Sequence, residues 1–105
     1  MQAAQGRKAL DLDVLDLKDV CGFTDFFLVC SGTSTRHTQA ICDAIREELD
    51  ESGMSPAHVE GYAQAEWILL DYLNFVVHIF VDRARQFYDL ERLWKKAAKT
   101  RIRDE

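Results

Sequence analysis

The sequence predicts a single α+β (α/β) domain in which a mixed β-sheet is flanked by helices. Three observations lead to this fold class. Residues 26–30 form an unbroken apolar run, which is typical of a strand buried on both faces. Residues 34–52 then show helical periodicity. Two later strand-like runs, 66–71 and 75–81, are separated by only three residues, so they can pair only as an antiparallel hairpin.

Length and composition limit the class of protein. The chain has 105 residues, of which 48% are hydrophobic, enough for one small domain with its own core. The formal charge of −5 disfavours sequence-independent binding to nucleic acid and favours a protein partner, with a basic protein among the candidates. No apolar run approaches the ~18 residues of a membrane span, so we expect no membrane contact.

The three cysteines, Cys21, Cys30 and Cys42, are odd in number and lack CxxC spacing. We therefore expect free thiols and a reducing compartment.

The N-terminal part of the chain adds one more strand. Residues 1–9 are small and polar, and we interpret them as a disordered or tag-like N-terminus. Apolar residues alternate with aspartates from 10 to 17, but the phase slips midway, which predicts a strand with a bulge or an early end. A short extended piece is expected at 58–60. The ordered domain is predicted to span 10–95.

The C-terminal part reads as helical. Asp82 and Asp89 are candidate caps for two short helices, the second with Leu93 and Trp94 on one side. Residues 96–105 form a charged tail that is expected to extend the last helix and then fray.

The turn after the central strand, Ser31-Gly32-Thr33-Ser34, has two interpretations. It could cradle an anion at the start of the helix, or it could be a tight turn with an N-cap. It lacks the lysine of a P-loop and the spacing of GxGxxG, so we favour the structural interpretation. Arg36 and His37 follow in the first helical turn, and here too packing and hydrogen bonding are favoured over ligand contact.

Catalytic and metal chemistry have no support in the residue pattern. His37, His58 and His78 have no metal-type spacing with one another or with cysteine. His78 lies within an apolar strand and is predicted to be a core or sheet-surface histidine. No GxSxG is present. We therefore predict no catalytic, cofactor-binding or metal-binding residues.

The strand at 66–71 carries the most informative aromatic residue. Trp67, Leu69 and Asp71 share one face, whereas Ile68 and Leu70 form a complete core face on the other side. Trp67 and Leu69 are thus either an exposed apolar patch or part of a second face covered by a helix. The sequence leaves both possibilities open. Aromatic residues with polar tips are enriched at protein interfaces.

Five blocks in the same order resemble the ribosomal silencing factor, or Iojap-like, family. They are TDFFLVCSGTSTRH at 24–37, HVEG at 58–61, AEWILLDY at 65–72, VVHIF at 76–80 and FYDLERLW at 87–94. Within the first block, the residues that carry the structural motif are Asp25, Gly32, Thr33, Ser34, Arg36 and His37.

The resemblance implies a fold related to nucleotidyltransferases and a translational repressor without enzymatic activity. The resemblance implies that the protein binds the large ribosomal subunit through ribosomal protein number fourteen and blocks joining of the small subunit. It also implies a homodimer when free, no sequence-specific nucleic-acid contact, and a cytoplasmic location, with the mitochondrial or plastid matrix as the alternative. The partner-binding residues expected on this basis are Trp67, Leu69, Asp71, His78, Tyr88, Glu60 and Gly61.

Two alternatives to repression stay open. One is an assembly factor for the large subunit. The other is a degenerate nucleotidyltransferase that still binds a nucleotide, but Glu66 and Asp71 are five residues apart and fall on opposite faces of a straight strand. The sequence also departs from the family at Leu73, where glycine is common. We expect Asn74 to supply any positive φ in that hairpin.

Overall fold

The computed structural model describes residues 10–16, 24–82 and 98–102. These residues form one helix and six strands. In chain order they are β1 (Leu10–Asp16), β2 (Phe26–Gly32), α1 (Thr35–Glu51), β3 (His58–Glu60), β4 (Trp67–Asp71), β5 (Phe75–Val81) and β6 (Ala98–Ile102). The elements predicted before residue 82 are confirmed.

The strands form one mixed sheet in the order β3-β4-β5-β2-β1-β6. The central pair, β2 with β5, is parallel, and its register runs from Phe26 opposite Phe75 to Gly32 opposite Val81. The other pairs in the described sheet are antiparallel, including the predicted β4–β5 hairpin. The predicted α+β fold with a mixed sheet is therefore confirmed.

Strand β1 contains the predicted bulge, but nearer its start than the phase slip indicates. Leu10 lies opposite Ser31 and Asp13 opposite Val29, so an irregularity separates the two pairs. Pairing with β6 is regular from Leu12 to Asp16, so Leu12 and Leu15 fall on opposite faces by ordinary alternation. Leu12 packs on the side that α1 covers and Leu15 on the other side, so the apparent phase slip reflects burial of both faces.

Helix α1 covers one face of the sheet. The N-cap expected in the turn after the central strand is Ser34, and Gly53 follows the helix with φ of +82°. Ile41, Ile45 and Leu49 are buried against a set of strand residues that we term the helix-face cluster: Leu12, Leu28, Cys30, Ile68, Leu70, Val77 and Ile79. No helix among the described residues is long and apolar enough to cross a bilayer.

The opposite face of the sheet is also buried. Its core, which we term the second-face cluster, consists of Leu15, Phe27, Val29, Val76 and Phe80, with Trp67 and Leu69 packed against it. Asp13 and His78 are buried in the same sheet. Burial on both faces explains the unbroken apolar run in β2.

The prediction of a helical extension at the C-terminus is wrong for residues 98–102. These residues form β6, which pairs antiparallel with β1 and places Thr100 opposite Val14. The pairing satisfies backbone groups of β1 that would otherwise form a sheet edge. The two helices predicted after Asp82 and Asp89 fall in 83–97, which lies outside the described residues.

The β4–β5 hairpin corrects a second expectation. Leu73, not Asn74, takes the positive φ, at +72°. The Asn74 N–H donates to the Tyr72 carbonyl at 2.9 Å, which closes a γ-turn around Leu73. The Leu73 N–H also donates to Asp71 Oδ1 at 2.8 Å, so the aspartate side chain supports the strained residue. Leu73 is 65% exposed and gains little packing in return.

Leu73→Gly should therefore stabilise the protein by about 0.5–1 kcal/mol, because relief of a left-handed leucine outweighs the added entropy of the unfolded chain. Urea unfolding measures the change. Leu73→Ala is the matched control, since it removes the exposed side chain but keeps the unfavourable φ. An equal gain in both variants would show that side-chain exposure, and not φ, is responsible.

Candidate protein-interaction site

Strand β4 directs the three residues that were expected to share a face, Trp67, Leu69 and Asp71, to the second face of the sheet. Trp67 lies opposite Phe80, Leu69 opposite His78 and Asp71 opposite Val76. Directly opposed residues share a face of the sheet, so all three β4 side chains project to the second face. Each of the three is half-buried. We call Trp67, Leu69 and Asp71, together with Glu60 beside them, the β4 patch.

The contacts of Trp67 combine packing with a hydrogen bond. Its ring stacks on Phe80, with centroids 5.1 Å apart and planes at 24°. Its indole N–H donates to His78 Nδ1 at 3.0 Å. Both interpretations of the sequence are thus partly met, because Trp67 and Leu69 border a buried face and still leave part of each side chain accessible.

Carboxylates border the apolar part of the patch. Glu60 on β3 lies opposite Leu69 and is exposed, while Asp71 is half-buried at the end of β4. The register also brings His58 opposite Asp71. His58 was absent from the residues expected to bind a partner. The short extended piece at 58–60 was the only sequence signal for it, because its neighbour depends on strand register.

Two residues expected at the interface lie against Trp67: buried His78 contacts its indole, and exposed Gly61 lies beside its backbone carbonyl. His78 is only 4% exposed. Gly61 has φ of +76°, and a Cβ atom there would collide with the Trp67 carbonyl oxygen. The structure therefore gathers Trp67, Leu69, Asp71, Glu60, Gly61 and His78 in one region, with Gly61 and His78 supporting Trp67. Tyr88 lies outside the described residues.

Three side-chain hydrogen bonds attach the 61–65 loop to α1. Thr38 Oγ1, fully buried, donates to the Ala65 carbonyl at 2.6 Å. Gln39 Nε2 donates to the Tyr62 carbonyl at 2.9 Å, and the Tyr62 hydroxyl donates to Asp43 Oδ1 at 2.9 Å. The bond to Asp43 raises the pKa of the Tyr62 phenol. The helix thereby holds the loop that leads into Trp67, a link that no sequence pattern indicated.

The turn between β2 and α1 has the favoured structural form. The Thr33 N–H donates to His37 Nδ1 at 2.9 Å, and the His37 N–H donates to Ser34 Oγ at 3.1 Å. Two amides that an anion could use are thus engaged within the turn. A Cβ on Gly32 would come within 3.0 Å of Thr38, so the helix needs glycine there to pack closely. Arg36 is exposed beside this turn.

The other groups with chemical potential lie apart. Glu66 is exposed just before β4, at the far end from Asp71, and Asp25 is exposed before β2. Among the described residues, no three His, Cys, Asp or Glu side chains are grouped to hold a metal ion. Cys21 lies outside the described residues, whereas Cys30 and Cys42 are buried and form no disulfide bond. Burial, followed by the charge of Asp43, raises the pKa of the Cys42 thiol to about 11. That thiol therefore stays protonated at neutral pH.

Comparison with known proteins assigns the fold and the family. The family model described as "Ribosomal silencing factor during starvation" matches residues 1–105. A ribosomal silencing factor of Bacillus subtilis is 37% identical over 95 residues, which cover 90% of this chain and 80% of that protein. A mouse protein named for mitochondrial assembly of the ribosomal large subunit is 30% identical, over 82% of this chain and 39% of its own. A crystal structure of a Chromobacterium violaceum protein superposes with a TM-score of 0.87 at 30% identity, covering 90% of this chain and 78% of that one. On this sequence and structural similarity, the chain belongs to the ribosomal silencing factor family.

Proposed function

We propose that this protein represses translation by binding the large ribosomal subunit through ribosomal protein number fourteen, which blocks joining of the small subunit. The observation that carries the proposal is the β4 patch. It combines an accessible tryptophan and leucine on a rigid strand with carboxylates at the border. Aromatic anchors surrounded by polar residues are typical of protein interfaces. Membership of the ribosomal silencing factor family supports a partner on the ribosome.

The charge of the patch indicates the chemistry of the partner surface. Glu60 lies beside Leu69 on the neighbouring strand, Asp71 follows Leu69 on the same face of β4, and the chain as a whole carries a formal charge of −5. A partner with a small apolar area flanked by lysine or arginine would complement this arrangement. Binding through exposed charges weakens as salt is added, because the Debye length falls from about 10 Å at 0.1 M to about 3 Å at 1 M.

Sucrose-gradient sedimentation tests the proposal. Tagged protein is mixed with purified large subunits, and small subunits are added afterwards. We expect the protein to sediment with the large subunit and to reduce the peak of joined ribosomes. Preincubation in high salt should weaken the association. Protein that stays at the top of the gradient would contradict ribosome binding, and protein that sediments with joined ribosomes would contradict the block.

A role in large-subunit assembly is the second candidate. It is favoured by the mouse relative, whose name refers to assembly of the mitochondrial large subunit. The same gradients distinguish the two roles when they are run on extracts. An assembly factor should sediment with incomplete large particles, and its depletion should reduce the number of mature large subunits. A repressor should bind mature subunits and leave their number unchanged.

We further propose that the protein neither binds nor transfers a nucleotide and that it is a homodimer when free. We expect it to act in the cytoplasm or in an organelle matrix. Calorimetric titration with ATP or CTP and Mg²⁺ would reveal a stoichiometric site if the nucleotidyltransferase alternative were correct. Light scattering at high protein concentration reports the oligomeric state. We attribute self-association to the apolar part of the β4 patch, which is free to contact a second copy in the absence of the ribosome.

A further inference from the structure

We propose that His78 is a positioning residue for the Trp67 side chain. Its Nδ1 atom holds the indole in the orientation that the partner recognises, so His78 acts on binding without reaching the partner. This inference rests on the proposed function, in which the β4 patch binds the large subunit. It assigns to His78 a role different from the direct contact that was expected from the sequence.

The geometry supports an indirect role. His78 is 4% exposed, so little of its ring can reach another molecule. Phe27 packs edge-on against the imidazole, with ring centroids 4.5 Å apart at 66°. The imidazole is thus held in place by contacts other than the one with Trp67. The indole N–H of Trp67 donates to His78 Nδ1 at 3.0 Å.

This hydrogen bond defines the state of both rings. Nδ1 can accept a hydrogen bond only when it carries no hydrogen itself, so the neutral ring has its hydrogen on Nε2. Together with the stack on Phe80, the bond constrains the two χ angles of Trp67 from two directions. A half-buried tryptophan that is fixed before binding loses less conformational freedom on contact, and this increases affinity.

Two substitutions separate positioning from simple packing. His78→Leu removes the acceptor and keeps a similar volume, whereas His78→Asn keeps an acceptor oxygen near the place of Nδ1. We expect His78→Leu to bind purified large subunits about five- to tenfold more weakly per folded molecule, which matches the loss of one ordering hydrogen bond. His78→Asn should stay within about threefold of the wild type. Equal affinities of the Leu and Asn variants would overturn the proposal.

A double-mutant cycle gives an independent readout. Trp67→Phe has no indole N–H, so adding His78→Leu to this variant should change binding by less than about twofold. A loss as large as that in the wild-type background would show that His78 acts by another route. Because Trp67→Phe retains a ring that can stack on Phe80, we expect this variant to fold.

Nuclear magnetic resonance of the wild-type protein keeps the test valid if His78→Leu does not fold. The Trp67 indole proton, assigned by its loss in Trp67→Phe, should exchange with water at least about tenfold more slowly than a free indole. The ¹⁵N shift of His78 Nδ1 should be that of an unprotonated, hydrogen-bonded nitrogen. Rapid exchange or a protonated Nδ1 would refute the positioning role. Absence of wild-type binding to subunits would instead refute the proposed function, and the positioning role with it.

Discussion

Gly61→Ala should destabilise the protein by about 3 kcal/mol, through backbone strain and a steric collision. Gly61 has φ of +76°, and an added Cβ would overlap the Trp67 carbonyl oxygen. That carbonyl belongs to β4, which is hydrogen-bonded to strands on both sides. Just before it, the Glu66 carbonyl accepts from the Val81 N–H at 2.9 Å. The strand therefore cannot move aside without breaking further bonds.

Gly53→Ala is the matched control for this effect. Gly53 also has positive φ, at +82°, but a Cβ there would meet no atom within 4 Å. It should lose only the conformational part, about 1 kcal/mol. Urea unfolding of both variants gives the difference. If the two losses were equal, the collision with Trp67 would be relieved at no cost, and the loop would be more adaptable than its contacts indicate.

Trp67→Ala should affect stability and binding together. Loss of the stack on Phe80 and of the bond to His78 should destabilise the fold by about 2–3 kcal/mol, less than a fully buried tryptophan because Trp67 is half-buried. Truncation of a central aromatic residue should weaken binding to the large subunit by about 2 kcal/mol or more, which is about thirtyfold. The variant should therefore no longer sediment with large subunits even under conditions where it is folded.

The adjacent residue on β4 provides the control. Ile68 is fully buried on the opposite, helix-facing side. Ile68→Val should lose about 1 kcal/mol of stability and keep its affinity. Binding is compared at a temperature at which circular dichroism shows both variants folded. If Trp67→Ala is folded and still blocks subunit joining, the contact surface lies elsewhere on the protein.

Much of the fold could be predicted because local pattern and tertiary packing agree. The apolar run of β2, the helical period of α1 and the short hairpin each have one compatible structure. Residues 98–102 differ because Lys99 and Arg101 suit an exposed helix as well as an edge strand. Their conformation depends on pairing with β1, more than 80 residues earlier, which no local pattern reports.

The candidate site could be predicted only in part for a related reason. The alternation along β4 predicted that Trp67, Leu69 and Asp71 share one face of the strand. The roles of His78 and Gly61 depend on neighbours in space. Strand register brings His78 within hydrogen-bonding distance of the Trp67 indole, and a loop brings Gly61 against the Trp67 carbonyl. Leu73 escaped prediction because a strained leucine is tolerated only when surrounding hydrogen bonds hold it.

The parallel pair at the centre of the sheet has a consequence for the kinetics of folding. Partners in β2 and β5 are 49 residues apart in sequence, as Phe26 and Phe75 are. The β4–β5 hairpin, in contrast, joins residues as near as Asp71 and Val76. Loop-closure entropy favours local contacts, so the hairpin and α1 should form early, and docking of β2 onto β5 should limit the refolding rate. During synthesis, β2 therefore cannot complete its pairing with β5 until residue 81 has left the ribosome.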